Sequence, residues 1–365
     1  MDNQEDKKLK FDQFDERYGE LDLCVKCNLK RKDKHENKHS DLCSNCRDEQ
    51  LKVKIPNKIF LLVGIVFVIL IVSLFSAKGS IERYSSYLDA KKHIEKKEYL
   101  FAYQNYSKLL EDYAYSKDIA YKTIQTALDA QYIADAAYYF DEYIAGKELD
   151  DYNYEKAGVL LDKINLYFDT YYAVEEIMKN LDSETDYETY QFKVREELKL
   201  LAQDRGTDKT QINYYRALFS YTPNEAKEYY ELSIAADEQF TYSISVYGNA
   251  LRRNQEFDAA KDMYNYGLSL NACDGDSLAG LGKIELLIGD KKKGLELIEK
   301  AYLMEPYSIY MPDAYIIALN ENGLVDKIDE VRIAANEAGY EFDYELDQYL
   351  NKEITLWEYY VDEEV

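Results

Sequence analysis

Four of the five cysteines stand as two pairs, Cys24-Val-Lys-Cys27 and Cys43-Ser-Asn-Cys46, with fifteen residues between them. Two thiolate pairs at that interval suit one tetrahedral Zn²⁺, because each short turn offers two sulfurs and the loop lets the turns meet. Leu23 and Leu42 precede the pairs and offer a small apolar contact. Four thiolates close the coordination sphere, so Cys24, Cys27, Cys43 and Cys46 are expected to hold a structural zinc ion with no position left for substrate. A disulfide is the competing reading of the same spacing. The fifth cysteine, Cys273, stands alone in a turn and reads as a small hydrophobe.

Between the pairs lies His35-Glu36-Asn37-Lys38-His39, formally an HExxH sequence. In zinc hydrolases that spacing puts two imidazoles one turn apart on a helix, with the glutamate polarising a metal-bound water. Here a run of Lys and Asp precedes it, Ser-Asp follows, and Lys38 sits between the histidines, leaving no apolar face to bury. A solvated loop is the expectation, and no catalysis. With only three His in the whole chain, imidazole chemistry has few other sites. The cysteine layout, with a helical-looking stretch after Cys46, resembles a treble-clef or zinc-ribbon module over 22–52, preceded by a polar tail at 1–21. A thioredoxin-like redox motif would instead want one CxxC beside a strand and a helix.

The elements that carry this module are of two kinds. Residues 59–77 form nineteen consecutive residues without a charge. As a helix rising about 1.5 Å per residue, they match the hydrocarbon thickness of a bilayer. A single transmembrane helix is expected, with the N-terminus in the cytoplasm, where a thiol-rich module stays reduced. The domain at 79–365 is then expected outside. From Cys24 to Lys58 ten basic residues face five acidic ones, a balance suited to anionic headgroups at the bilayer surface. The 365-residue chain carries a net charge of −25 and is 47% hydrophobic, enough apolar content for a large core. Residues 1–78 hold 15 basic and 13 acidic side chains, and the rest holds 30 and 57. A domain so acidic repels phosphate backbones, which argues against nucleic acid as a partner.

Beyond residue 80 helical patterns follow one another without strand-like alternation, and they repeat. Gly248 and Gly282 lie 34 apart, as do Ala260 and Gly294, Tyr264 and Ile298, and Gly267 and Ala301. Ala226 with Tyr230 precedes Ala260 with Tyr264 by that interval, and Ala102 with Tyr106 precedes Ala136 with Phe140 likewise. The frame predicts units at 83–116, 117–150, 207–240, 241–274 and 275–308. A degenerate unit follows at 309–342, where Ile328 and Arg332 replace the usual types, and 151–206 reads as one off-frame hairpin around Ala173 and Ile177. This order of small and bulky residues resembles the tetratricopeptide repeat, in which small residues let two antiparallel helices approach. The fold class expected is therefore all-α, an αα superhelix.

The resemblance implies a concave face lined by the first helix of each unit. It places Tyr242, Asn249, Arg252, Arg253, Lys283 and Asn320 there, as a groove for a protein or peptide ligand. The family's carboxylate-clamp set is incomplete, since Gly280 stands where an amide is wanted. Tyrosine is abundant, 38 in all with only Tyr18 before residue 80, and reads as packing between helices with hydroxyls at the wet edge. The final stretch, Trp357 to Val365, is aromatic and then acidic, and points to no chemistry by itself. The function expected is a bacterial, membrane-anchored, non-enzymatic interaction scaffold. The alternative is a transmembrane regulator that couples an outer sensor to the cytoplasmic zinc module.

Overall fold

The structure is a computed structural model. It describes residues 23–32, 41–52, 56–181, 186–306, 308 and 310–361, without the side chains of 74–78 and 181. The chain divides into two compact units, Met1–Gly79 and Ser80–Val365. The described residues are almost entirely helical, and the one β feature is an isolated antiparallel bridge between Leu23 and Arg31.

In the first unit, helix α1 (Ser44–Leu51) follows the second cysteine pair, and α2 (Asn57–Glu95) begins after Pro56. α2 contains the uncharged run. Its described side chains from Ile59 to Val72 are exposed, Phe60 at 63% and Leu61 at 67%. Among the described residues no helix is long and apolar enough to cross a membrane, and part of the run, 74–77, falls among the side chains left undescribed.

The second unit begins with the last turns of α2 and is built from helix pairs. These are α3 (Tyr99–Asp112), α4 (Lys117–Asp129), α5 (Ile133–Tyr143), α6 (Asp151–Leu181), α7 (Tyr187–Leu201), α8 (Lys209–Leu218) and α9 (Pro223–Ala236). There follow α10 (Thr241–Arg253), α11 (Phe257–Leu270), α12 (Gly275–Ile288), α13 (Lys291–Met304), α14 (Met311–Glu321), α15 (Ile328–Glu337), α16 (Tyr344–Leu350) and α17 (Leu356–Tyr360). Consecutive partners pack tightly: α4 with α5, α8 with α9, α10 with α11 and α12 with α13. Many helices start on a side-chain cap, as where Asp186 accepts from the Thr189 N–H (3.0 Å) and Asp290 from the Lys292 N–H (2.9 Å). Such caps satisfy N–H groups that a helix start leaves open.

The 34-residue frame reappears in the backbone. Lys97, Gln131, Gln255 and Gly323 all take positive φ (58°, 68°, 62° and 70°) at the end of a unit's first helix. In each case the next N–H reaches back five residues: Glu98 to His93, Tyr132 to Ala127, Glu256 to Leu251 and Leu324 to Leu319, all at 2.8–2.9 Å. This is a left-handed helix stop repeated in register.

Packing follows the same frame. Ala102, Tyr106, Ala136, Ala260, Tyr264, Ile298 and Ala301 are fully buried, and Phe140 and Tyr230 nearly so. Burying one large apolar side chain stabilises by roughly 1.5–3 kcal/mol. The small residues are dictated by close approach. A Cβ on Gly248 would meet the Tyr264 ring at 2.5 Å, and one on Gly280 would collide with the same ring from the next unit. Gly280 is thus the seat of Tyr264, which explains why no amide stands there. Between α12 and α13, a Cβ on Gly282 would meet Ile298 at 2.5 Å.

The off-frame stretch is a pair of packed helices, as expected, but its buried residue differs. It holds one long helix, α6, and then α7, and Val174 rather than Ala173 is buried there, in a separate core with Val194, Leu198 and Ile212. α6, at 31 residues, is longer than the frame allows, so the 34-residue spacing is lost until α8.

The array also closes on its own early units. The Ala272 N–H donates to the Lys97 carbonyl (2.9 Å), and Lys97 Nζ to the Ser269 carbonyl (2.7 Å). Gln131 Nε2 donates to the Gln239 carbonyl (3.0 Å), and the Tyr132 hydroxyl to Glu305. Cys273 is buried at this junction in the core of the early units, and burial, then Glu98, pushes its thiol up to about 11. It is a packing residue, as its isolation in the sequence suggested, and too enclosed for thiol labelling of the folded chain.

Candidate functional site

The first candidate site is the cysteine cluster. The Leu23–Arg31 bridge folds the first pair into a tight turn, with the Cys24 N–H on the Lys30 carbonyl and the Asn28 N–H on the Cys24 carbonyl, both 2.8 Å. Asn28 holds φ at 53°, a left-handed position that glycine commonly fills and that asparagine tolerates. Asn28 thus makes the turn of the first pair without a glycine. The second pair sits on the start of α1, with Cys43 preceding its first residue and Cys46 buried on its inner side. The Val25 N–H on the Asp41 carbonyl (3.0 Å) ties the two halves together.

The four sulfurs lie within 4.8 Å of one another, and Cys27 Sγ is 3.8 Å from Cys43 Sγ. A tetrahedral Zn–S bond of about 2.3 Å requires sulfur–sulfur edges near 3.8 Å. A disulfide needs about 2.05 Å, and all four cysteines are free thiols. The electrostatics agree with a cation site. Burial opposes ionisation of Cys24, but N–H groups of Cys43, Cys27 and Lys26 aimed at its sulfur bring it down to about 6. The N–H groups of Leu29 and Lys30 lower Cys27, while burial and then the neighbouring thiols push Cys46 up to about 12. Four thiols this close cannot all ionise unaided, and a dication at their centre removes the repulsion. The residues fit a structural zinc ion. His35, Glu36 and His39 lie outside the described residues.

The second candidate site is the face that the repeat register assigns to ligand. Tyr242 is half-exposed, with its ring 5.3 Å from Tyr214, and Arg253 is exposed at the end of α10. Asn249 accepts from the Tyr264 hydroxyl (2.8 Å) and so spends its carbonyl inside the array. The other three meet the end of the chain. Arg252 is only 3% exposed and donates from Nη1 to the Tyr360 carbonyl. Its Nε has no hydrogen-bond partner. Lys283 Nζ stands 5.3 Å from the Tyr360 ring centre, and Asn320 donates to the Tyr349 hydroxyl (3.1 Å), which in turn bonds Glu321 (2.5 Å).

Around these contacts Trp357 packs edge-on against Phe257 (5.8 Å), and Tyr359, Tyr360 and Val361 are buried. α17 is started by a capping box, Thr355 with Glu358. The expectation of an open groove is corrected at Arg252: that position is covered by the chain's own last described turn. The sequence held one signal of this, an aromatic cluster of Trp357, Tyr359 and Tyr360 placed after the last repeat, where no further unit needs it.

A cavity of about 510 Å³ lies where the array closes on itself, lined by Tyr132, Tyr242, Asn271, Asp274, Asp276 and Glu305 among others. Burial, then neighbouring Asp276, pushes the Asp274 carboxyl up to about 7, and burial raises Asp276 and Glu305 as well. Asp274 is held by the Ser277 hydroxyl (2.5 Å) as the cap of α12. Asp274 thus serves helix capping, and Glu305 the closure onto Tyr132. They lie outside the one described cluster tight enough for a metal ion, which is the four cysteines.

No family model and no curated protein matches the chain. Among solved structures it is similar to the crystal structure of MamA, at 18% identity over 47% of this chain and 99% of that one, with a TM-score of 0.33. It is also similar to yeast Tom70, at 11% identity over 67% of this chain and 60% of that one, again with a TM-score of 0.33.

Proposed function

We propose that this protein is a membrane-anchored, non-enzymatic scaffold. Its tetratricopeptide-type array takes protein or peptide segments on the face of the first helices, and a zinc-held module lies before the anchor. The observation that carries the reading is the fate of Arg252 and Lys283. The positions assigned to ligand by the repeat register engage a short aromatic segment through its backbone carbonyl and ring faces. Backbone and aromatic-face contacts of this kind are how a groove holds a peptide. Membrane anchoring through 59–77 is supported by the uncharged run and by the exposure of its described apolar side chains around a helix. The N-terminal module is placed in the cytoplasm and the array outside, because free thiols that hold zinc persist in reducing conditions.

A photo-crosslinking residue placed at Tyr242 in the membrane-bound, full-length chain tests the scaffold reading. A discrete covalent adduct with one partner is expected there, and none from the fully exposed Tyr115 outside the groove. Equal, diffuse labelling from both positions contradicts it. Topology is read separately, by impermeant-thiol labelling of Tyr115→Cys in a Cys273→Ser background. Labelling in intact cells is expected, and protection until lysis reverses the orientation.

A further inference from the structure

We propose that Leu356–Val361 is a tethered ligand of the array rather than part of its framework, and that the groove's partner carries the same chemistry: an aromatic pair followed by carboxylates. The proposal rests on the scaffold reading above and names the partner class for that site. Three observations lead to it.

The contacts are those of a docked peptide. Arg252 grips a main-chain carbonyl, Arg252 and Lys283 stand over the Tyr360 ring (5.6 and 5.3 Å), and Trp357 leans on Phe257. The seat of Tyr264 between Gly248 and Gly280 is complete without the segment, while Tyr359 and Tyr360 insert their rings beside Leu286, Ile298 and Ile316. The docked helix is only five residues long and hangs from a turn at Asn351–Ile354 in which Lys352 holds φ at 66°.

At Arg252 the docked turn supplies a carbonyl and a ring face. Arg252 is a buried guanidinium whose Nε has no hydrogen-bond partner. The sequence after Val361 is Asp-Glu-Glu-Val, so the natural continuation of the docked segment is anionic. A carboxylate delivered to a guanidinium gives a charge-assisted bond, stronger than one to a carbonyl. An acidic segment is therefore favoured over a basic or neutral one.

Tethering sets the affinity a partner must have. A short linker gives its segment a millimolar effective concentration, so a free partner must bind several-fold to many-fold more tightly, or be locally concentrated, to take the groove. The attached segment thereby keeps weak aromatic peptides out and admits a partner that completes the charge.

Trp357 is the only tryptophan in the chain, so its emission reports this segment alone. The probe is a synthetic peptide of residues 352–365 with phenylalanine in place of Trp357, titrated into the full-length protein in detergent. The expected result is a saturable red shift that a scrambled peptide does not produce, with far-UV circular dichroism unchanged. Tyr360→Ala, which loosens the tether's grip, is expected to lower the midpoint at least tenfold. Lys283→Gln, at the edge of the groove, weakens both ligands and serves if Tyr360→Ala does not fold. An unmoved emission at the solubility limit of the peptide, in wild type and variant alike, overturns the proposal. So does a red shift that comes with loss of helix, because the segment is then a folding element. A peptide-free shift that depends on protein concentration also overturns it, by showing exchange between copies. If the titration fails while Tyr242 still crosslinks to a discrete partner, the scaffold stands and only the tethered ligand falls. If both fail, both fall.

Discussion

The cysteine module and the helical array solve the problem of staying folded in opposite ways. In the module, the side chains that touch each other are potential ligands but for one leucine: Cys24, Cys43 and Cys46 are buried, and Cys27 and Leu42 complete the cluster. A core of three or four thiols with one leucine buries too little apolar area to order some thirty residues, and the zinc ion proposed for the four thiols would supply the missing free energy. In the array no ion is needed, because Tyr264 is clasped between Gly248 and Gly280, and Ile298 lies against Gly282. On the proposed reading one unit is held by coordination and the other by shape. That predicts that each will fail under conditions the other survives.

The largest effect is expected from metal removal. A strong chelator, or Cys43→Ser, takes bound zinc from one per chain to none by elemental analysis. Residues 23–52 then become cleavable by protease within minutes, while the melting temperature of the array stays within about a degree, since the ion stabilises only the state that binds it. Loss of both units together breaks the comparison.

Next in size is the converse change. Tyr264→Ala removes a fully buried ring from between two units and is expected to destabilise the array by about 3–5 kcal/mol in urea unfolding. Zinc content should be unchanged. A loss below 1 kcal/mol contradicts the nested packing.

Acidification sharpens the contrast because the two units answer with opposite sign. Asp274 titrates near 7 in the folded array against an ordinary 3.8, and Asp276 and Glu305 are shifted the same way. The folded state therefore binds more protons than the unfolded one between about pH 4 and 7, and the array loses stability as pH rises through that window. Its melting temperature is expected to be a few degrees higher at pH 5.5 than at pH 8, and Asp274→Asn to flatten the difference. The module is expected to release zinc over the same acid range, because protons compete for thiolate sulfur. Scanning calorimetry with a zinc-sensitive dye reads both.

The smallest effect is expected at a turn. Gln255 holds φ at 62° at the end of α10, where Gly323 does the same job without a side chain. Gln255→Gly relieves the left-handed strain and is expected to stabilise by up to about 1 kcal/mol, the gain offset in part by unfolded-state entropy. Destabilisation by more than that shows that the Gln255 side chain makes a contact the turn depends on.

Much of this was legible in the residue spacing. The cysteine intervals pointed to the cluster of four sulfurs, because short paired spacings let the thiols converge. The 34-residue recurrence marked where Ala260, Tyr264, Ile298 and Ala301 would be buried, since close helix approach demands small residues opposite large ones. Three features were not legible. Asn28 stands in for the glycine of the first turn, and residue type alone does not reveal a left-handed asparagine. The closure of Ala272 on Lys97 and of Tyr132 on Glu305 joins residues some 175 apart through backbone and single side chains, leaving no periodic trace. The seat of α17 on Arg252 and Phe257 is likewise a long-range contact, and register could name the groove position but not its occupant.

Hydrogen-exchange mass spectrometry on the full-length chain, with and without the 352–365 peptide, tests most directly whether this face is a binding surface. Exchange is predicted to rise in 356–361 on peptide addition, while α10 and α12 keep their protection because an equivalent segment has replaced the first. Unchanged exchange in 356–361 at saturating peptide, or loss of protection in all three segments at once, contradicts the account.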